Sequence, residues 1–328
     1  MADSFLQVKN IGAGFPCRRI IVELTHSLSG QSLFLNFDNN DIDVKVSLNR
    51  NYGGIDPKAT VSLCNLSQDT IKTFSTPFFA PQNPNKITVY AGYETIDEQT
   101  SKIPLLFTGD ILWAIPTSAR PDIWFTITAV ENFFKINDIV SWTQEQSKGY
   151  PTRIELVEGI CKSVGFENID LTWFDRLNTI CENQNQAKRM RQYLVYPFDF
   201  EFQGSFGSFL KEIYSFGRMT SIVMGNKITI LPCSDDITFM KQNKSLNALE
   251  DVHVVSSATN PPMIGNPNPN PTGVNFTMLF NRDIVPMSFI GLQSKIYTEF
   301  NMEYWVQQVR YDLHLRGQNF YSHIIARR

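Results

Sequence analysis

The sequence predicts a mainly β fold with α+β elements, on three observations. Several strand-length stretches alternate apolar and polar residues with period two. The chain is rich in strand-favouring aromatics, with 25 Phe, 11 Tyr and 5 Trp. Stretches of helical period are short and fall between the strand candidates, as expected for helices that pack on sheets.

The first strand is Asp41 to Asn49, DIDVKVSLN, with Ile42, Val44, Val46 and Leu48 on one face and Asp43, Lys45, Ser47 and Asn49 on the other. Period-two stretches follow at Lys86 to Tyr93, Ile123 to Val130 and Lys227 to Leu231, each bounded by Pro, Gly, Asn or Asp. Strands therefore dominate residues 1–135. A short helix interrupts them, capped by Ser67, with Leu66 and Ile71 at the positions of a hydrophobic staple and a place at one end of a barrel. From Pro151, Ile154, Val157, Ile160, Cys161 and Val164 recur at helical spacing and Gly165 ends the helix in a left-handed turn. Another helix runs from Ser205 to Phe216, with Phe206, Phe209, Leu210, Ile213 and Phe216 on one stripe and Gly217 closing it. The run Pro261 to Gly273, PPMIGNPNPNPTG, carries five prolines that withhold backbone donors, and is expected to be a surface loop or arm. The chain then ends in a long hairpin, Tyr304 to Ala326, turning around Arg316, Gly317 and Gln318, with Trp305, Val309, Tyr311 and Leu313 sharing one parity.

With 328 residues, 42 % of them hydrophobic and 19 % charged, the chain is globular and long enough for more than one core. The net charge is −3, which provides no global field for holding nucleic acid by its phosphates. Lys188, Arg189 and Arg191 form a local basic patch, read as a solvated face or an inter-subunit contact. Cys17, Cys64, Cys161, Cys181 and Cys233 are odd in number and without a C-x-x-C pair, as for reduced, mostly buried thiols made in a cytoplasm. Neither an apolar signal core nor a run of roughly 20 apolar residues is present, so no membrane-spanning helix is expected.

The common phosphate, zinc-protease and serine-nucleophile motifs are absent. His314 and His323 are candidates to face each other across the final hairpin as metal ligands, though ordinary sheet histidines account for them better. Asp199 and Glu201 alternate with Phe198, Phe200 and Phe202. Paired carboxylates of this kind hydrolyse glycosidic bonds when their spacing is right, but the alternation fits a sheet with one wet face. The pieces Asn51 to Gly54 and Gly204 to Gly207 read as turns rather than phosphate cradles. No catalytic, cofactor-binding or metal residue is assigned.

Four segments, in order, resemble the baseplate hub family of tailed bacteriophages, which is related to the spike base of type VI secretion systems. VSLCNLSQDTIKTF (Val61 to Phe74), leading into KITVYAGYE and IPLLFTGDILWA, is similar to the family's opening run of strand, asparagine turn, helix, V-x-x-A-G-Y and F-x-G-x-I. FDFEFQGSFGSFLKEIYSFGRMTSIVMGNKITILP (Phe198 to Pro232) resembles its middle module. ATNPPMIGNPNPNPTGVNFTMLFNRDIVPMSFIGLQS (Ala258 to Ser294) and WVQQVRYDLHLRGQNFYSHIIARR (Trp305 to Arg328) resemble its later run and closing hairpin. Pro261 and Pro262 stand where T-G is usual, Phe280 replaces a Leu and Met287 replaces a glycine after Pro286, departures that bear on local turns.

The resemblance implies two tail-tube-like β-barrel domains plus smaller α/β domains, parts of them discontinuous. It divides the chain into an N-terminal tube-like domain (1–135), a mixed α/β domain (136–235) and a second β domain (236–328) with the proline-rich loop and the hairpin, sharing sheets with earlier segments. It further implies a structural, non-enzymatic subunit of the virion's tail baseplate, made in the host cytoplasm. Three copies in a ring join the six-fold tail tube protein above to the spike or tail-tip protein below, with tape-measure and baseplate wedge proteins as further partners. Genomic DNA passes without specific binding, and no cofactor is implied. Three other classes compete: a cell-wall hydrolase using Asp199, a carbohydrate-binding adhesin using exposed tryptophans such as Trp113, Trp142 and Trp173, and a transmembrane β-barrel, which the amphipathic helices and missing signal disfavour.

Overall fold

The computed structural model describes residues 5–9, 17–36, 43–54, 57–76, 83–94, 100–119, 122–195, 200–243, 253–259 and 261–328. The first part of the chain supplies β1 (Phe5–Lys9), β2 (Arg18–Thr25), β3 (Ser32–Asn36), β4 (Val44–Asn51), β5 (Lys58–Cys64), helix α1 (Gln68–Phe74), β6 (Lys86–Tyr93), β7 (Thr100–Ala119) and β8 (Asp122–Val130). A mixed stretch follows: α2 (Phe133–Asn137), β9 (Ile139–Trp142), α3 (Gln144–Ser147), α4 (Arg153–Ser163), β10 (Asn168–Asp170), α5 (Thr172–Asn183), α6 (Ala187–Leu194), β11 (Phe202–Ser205), α7 (Phe206–Gly217), β12 (Met219–Met224), β13 (Lys227–Pro232) and α8 (Ser234–Gln242). The last part returns to strands: β14 (His253–Ser256), β15 (Met263–Asn270), β16 (Gly273–Leu279), β17 (Phe289–Gln293), a 3₁₀ turn at Thr298–Phe300, β18 (Glu303–His314) and β19 (Phe320–Arg327).

Fourteen strands belong to one sheet, whose main path runs β15-β16-β19-β18-β4-β5-β8-β7-β6-β2-β3. The pivotal pairing is β4 with β18, antiparallel from Gln308↔Asn51 to His314↔Lys45, which joins the two ends of the chain in one ladder. The alternation expected of β4 is present, with Val44, Val46 and Leu48 buried and Lys45 and Asn49 exposed, while Ile42 lies outside the described residues. The same inward parity in β5 and β8 buries Ala59, Val61 and Leu63 against Phe125, Ile127 and Ala129. Each full burial of a branched or aromatic side chain favours folding by about 1.5–3 kcal/mol. This core draws on residues from Ile20 to Ala129 and again from Val255 to Ala326. Among the described residues the pairings form this path with branches, and closure of the sheet into barrels is not part of them.

The mixed stretch builds a second core around Leu156, Ile160, Phe166, Phe174, Leu177, Phe206 and Phe209. Its three-stranded sheet is β10-β13-β12, and β9 pairs with β11. The expected Ser67 cap is present, accepting from the Thr70 N–H, and the other two helices are capped in the same way, Thr152 accepting from Glu155 and Ser205 from Ser208. Gly165 follows α4 at φ +84°.

Five expectations change. The proline-rich run is no free arm, because Met263–Asn270 is strand β15, paired to β16 with a bulge between Ile264 and Asn268. It tolerates Pro267 and Pro269 because it ends the sheet path and needs donors on one side only. The left-handed residue after α7 is Arg218 (φ 54°), with Gly217 still helical and buried beside Met219. Gly204 to Gly207 is a strand running straight into a helix rather than a turn. In β13 the interior residues Ile228 to Pro232 are all buried, since both faces of the strand are covered, so the stretch is not one-sided. In β18 a bulge between Val306 and Gln308 reverses parity, so Trp305 enters the second core while Val306, Val309, Tyr311 and Leu313 face the first.

Candidate functional site

Because the first core covers one face of the long sheet, the opposite parity forms a second, polar face. In register across five strands it reads His323, Arg310, Asn49, Lys58 and Val130 in one row, and Tyr321, Asp312, Ser47, Thr60 and Thr128 in the next. Cross-strand hydrogen bonds tie these side chains together. Ser62 and Thr126 hydroxyls lie 3.2 Å apart, Gln308 donates to Asn49 at 2.9 Å, and Thr277 meets His323 Nδ1 at 2.9 Å. Burial, with the Arg310 charge adding to it, holds the His323 pKa below its usual value against the pull of Asp312. At the β15 end a groove of about 670 Å³ opens on this face, bordered by Asn266, Asn268, Asn275, Tyr297, Arg310 and His323. The wide bulge of β15, with Gly265 at φ +70°, forms one border.

Where the core side of the long sheet meets the mixed stretch, a buried ion pair joins them. Arg50 Nη2 lies 2.6 Å from Glu131 Oε1 and also donates to the Leu106 carbonyl at 2.9 Å. The Gly225 N–H, in the β12–β13 turn, donates to Glu131 Oε2 at 3.0 Å. Burial raises the Glu131 pKa, and Arg50 and the Gly225 N–H oppose that rise. Beside it the Tyr52 hydroxyl donates to the Pro232 carbonyl at 2.9 Å, and its ring meets Trp305 edge-on at 5.2 Å. Sequence reasoning passed over this pair although its signal is present: Arg50 and Glu131 both fall on the apolar parity of their strands, following Leu48 and Ala129. Opposite charges at core positions of two strands that flank a shared neighbour, here β4 and β8 about β5, point to mutual burial.

A second buried cluster sits at the start of α8. Asp236 accepts from Tyr193 (2.5 Å), Gln192 (2.7 Å) and Arg189 (2.8 Å), and the Cys233 thiol at 3.2 Å. Burial first, and the hydrogen bond to Asp236 next, push the Tyr193 pKa far up. Every group here serves another group of the fold, which makes the cluster a tie between α6 and α8.

The residues singled out in the sequence do not converge on a chemical site. His314 binds Asp43 Oδ2 at 2.5 Å, whereas His323 sits opposite Arg310 and binds Thr277, so the two do not face each other. Among the described residues no group of three or more His, Cys, Asp or Glu is placed to hold a metal. Asp199 and Phe198 lie outside the described residues, and Glu201 is exposed just ahead of β11. Arg189 is held by Asp236, while Lys188 and Arg191 are exposed. Of the three tryptophans, Trp142 is buried and Trp173 packs against Phe289, so only Trp113 is exposed. All five cysteines are free, four of them buried. No helix among the described residues is long and apolar enough to cross a membrane.

What this arrangement offers is a wall, with one packed face and one wet one. A family model described as Baseplate hub gp41 matches residues 21–195 and 204–326. The chain belongs to the baseplate hub gp41 family. The fold of this hub is similar to that of a tail protein from Neisseria meningitidis MC58, at a TM-score of 0.53 and 7 % identity over 95 % of the hub and 96 % of that chain. It is similar also to the 43 kDa tail protein of prophage MuSo2 from Shewanella oneidensis, at TM-score 0.50 and 9 % identity over 95 % and 98 %. A third likeness is to the E. coli c3393 protein, a component of the type VI secretion system, at TM-score 0.50 and 9 % identity over 87 % and 73 %. At such identities the likeness is one of fold. Among curated proteins none matches the hub significantly by sequence.

Proposed function

We propose that the hub is a non-enzymatic subunit of the virion's tail baseplate, three copies of which form a ring that joins the six-fold tail tube to the central spike and surrounds the genome's path. The observation that carries this reading is the family match over nearly the whole chain, combined with a sheet in which strands from both ends of the chain form one ladder through β4 and β18. Such a ladder resists separation of the two ends, as a load-transmitting ring subunit requires. On this reading residues 1–135 and 236–328 are the two tube-like halves and residues 136–235 a mixed module set against them. The shared core and the separate aromatic core support that division. Tube protein above, spike or tail-tip protein below, and tape-measure and wedge proteins are its expected neighbours. The free cysteines suit synthesis in the host cytoplasm.

Cryo-electron microscopy of the parent particle tests the proposal. Three copies between tube and spike are expected; a place on a peripheral fibre, or six copies in the tube itself, refutes it.

A further inference from the structure

We propose that the groove at the β15 end of the long sheet is a binding site for an acidic saccharide, a sugar chain whose rings carry carboxylates. Its floor is two rows of side chains in register. Ile264, Thr277, His323 and Arg310 follow one another across β15, β16, β19 and β18 in one row, and Asn268, Asn275, Ile325 and Gln308 in the next. Neighbouring strands lie about 4.8 Å apart and rows on one face about 6.8 Å apart, so the floor spans roughly 14 by 7 Å. That is room for a short oligosaccharide rather than a single ion, and the groove's volume of about 670 Å³ is in the range of small-ligand sites. Gly265 and Asn266, in the bulge of β15, and Tyr297 border it.

The hydrogen-bonding groups of the floor are partly used and partly free. Gln308 spends its Nε2 on Asn49, which leaves Oε1 to accept; Asn275 Oδ1 accepts from Asn270, which leaves its amide N–H groups to donate; His323 Nδ1 meets Thr277, which leaves Nε2. The amides of Asn266 and Asn268 are exposed and meet no partner among the described residues. Donors and acceptors intermixed at this spacing match hydroxyl groups, each of which acts as both. Charge then selects among hydroxylated ligands. Arg310 is exposed and makes no hydrogen bond or ion pair among the described residues, and no described carboxylate lines the groove with it. Lys58, exposed two strands further along the same row, adds positive charge, while the near anion, Asp312, stands one row away on β18. A free guanidinium fork takes a carboxylate by two parallel hydrogen bonds. Ile325 in the floor, with Ile264 (39 % exposed) and Tyr297 (41 %) beside it, gives the C–H face of a sugar ring an apolar surface to rest on. A peptide strand fits less well, because β16, β19 and β18 are paired on both sides and leave no free main-chain ladder in the floor.

Isothermal titration calorimetry of the full chain with trigalacturonate tests the site. Saturable binding with a dissociation constant of about 1 mM or tighter is expected, with neutral maltotriose and acidic triglutamate each at least about tenfold weaker. Arg310→Gln should weaken trigalacturonate by about tenfold or more, the factor that a hydrogen bond to a charged group carries. Tyr297→Ala should weaken it as well, whereas Trp113→Ala, at an exposed tryptophan that does not line the groove, should leave binding unchanged. Absence of saturable binding by trigalacturonate overturns the assignment. So does equal binding of either control, since triglutamate would reduce the site to a cationic patch or a peptide groove and maltotriose would remove the part of the Arg310 charge. A loss on Trp113→Ala without one on Tyr297→Ala overturns it too, by placing the sugar elsewhere. The measurement uses the isolated chain, so its outcome is independent of the hub reading and of where electron microscopy places the chain in the particle.

Discussion

Arg50→Met tests the joint between the sheet and the mixed module. Glu131 has a side chain only 1 % exposed, and its partner's is 10 % exposed. Removing Arg50 leaves the carboxylate with the Gly225 N–H as its remaining hydrogen bond from across the joint, and strips the Leu106 carbonyl of a donor. Breaking one side of such a buried pair costs about 3–5 kcal/mol. The loss has a pH signature. Burial already raises the Glu131 pKa, and losing the Arg50 charge raises it further. A carboxyl with a raised folded-state pKa binds its proton more tightly when folded. Its stabilising contribution is therefore complete below the unfolded value and is lost as pH rises through the folded one. Arg50→Met is accordingly destabilised more at pH 7 than at pH 5. The pair replacement Arg50→Met with Glu131→Leu removes both charges and with them the pH dependence, but recovers only part of the loss, because the Leu106 carbonyl and the Gly225 N–H are each left without that partner, at about 1–3 kcal/mol apiece. Urea unfolding followed by tryptophan fluorescence at the two pH values measures all of this. A single-variant loss under about 1 kcal/mol at pH 7, or an equal loss at both pH values, refutes the account.

Two further outcomes follow from particular residues. The two-residue turn Pro271–Thr272 makes Asn270 and Gly273 the hydrogen-bonded pair closing the β15–β16 hairpin, so the nitrogen of Pro269 points to the free edge. Restoring donors with Pro267→Val and Pro269→Val should open that edge to strand addition and give concentration-dependent self-association in sedimentation velocity; a variant that sediments as the parent does at every concentration counts against the blocked edge. His323, with its depressed pKa, contributes stability present above the unfolded value near 6.5 and lost as pH falls through the folded one. His323→Asn should therefore flatten the fall in melting temperature between pH 7 and pH 5, and identical slopes for the two proteins dispose of that role.

The strands were legible where one face is buried and the other wet, since period two is then written directly into the residues, as in Val44, Val46 and Leu48. Legibility failed where that condition fails. Ile228 to Pro232 in β13 is covered on both faces, so its alternation carries no information about which side is core. Met263–Asn270 looks unlike a strand because prolines are read as breakers, yet at the end of a sheet only one side of a strand must donate. Helix α5 had a readable stripe, Phe174, Leu177, Ile180 and Cys181, and Asp170 before it accepts from the Thr172 N–H. The stripe was passed over in a stretch without strand signals. Of the wall's polar face, the parity of β4 was visible in the sequence. Its continuation through β18 was not, because the Gln308–Asn49 contact spans 259 residues and leaves no local trace.

That long-range ladder, together with the bulge in β18, bears on how a hub would carry load. Before the bulge, Trp305 packs in the second core and its indole N–H reaches Thr238 of α8; after it, Val309, Tyr311 and Leu313 pack in the first. One strand thus belongs to both cores, and a register reversal of one residue achieves what a flexible linker between domains would forfeit. A force arriving at the mixed module is delivered into β18 through Trp305, and into the ends of β4 and β8 through the Tyr52 and Glu131 contacts. From β18 it passes along hydrogen-bonded ladders to β4 on one side and β19 on the other. Shearing antiparallel strands requires many ladder bonds to break together, whereas a hinge would yield one residue at a time. The same pairing of distant segments makes folding slow, because chain closure over such separations must precede the contacts that reward it. If the hub works as the proposed ring subunit, folding once and then bearing load, that topology serves it better than a fast-folding, locally connected one.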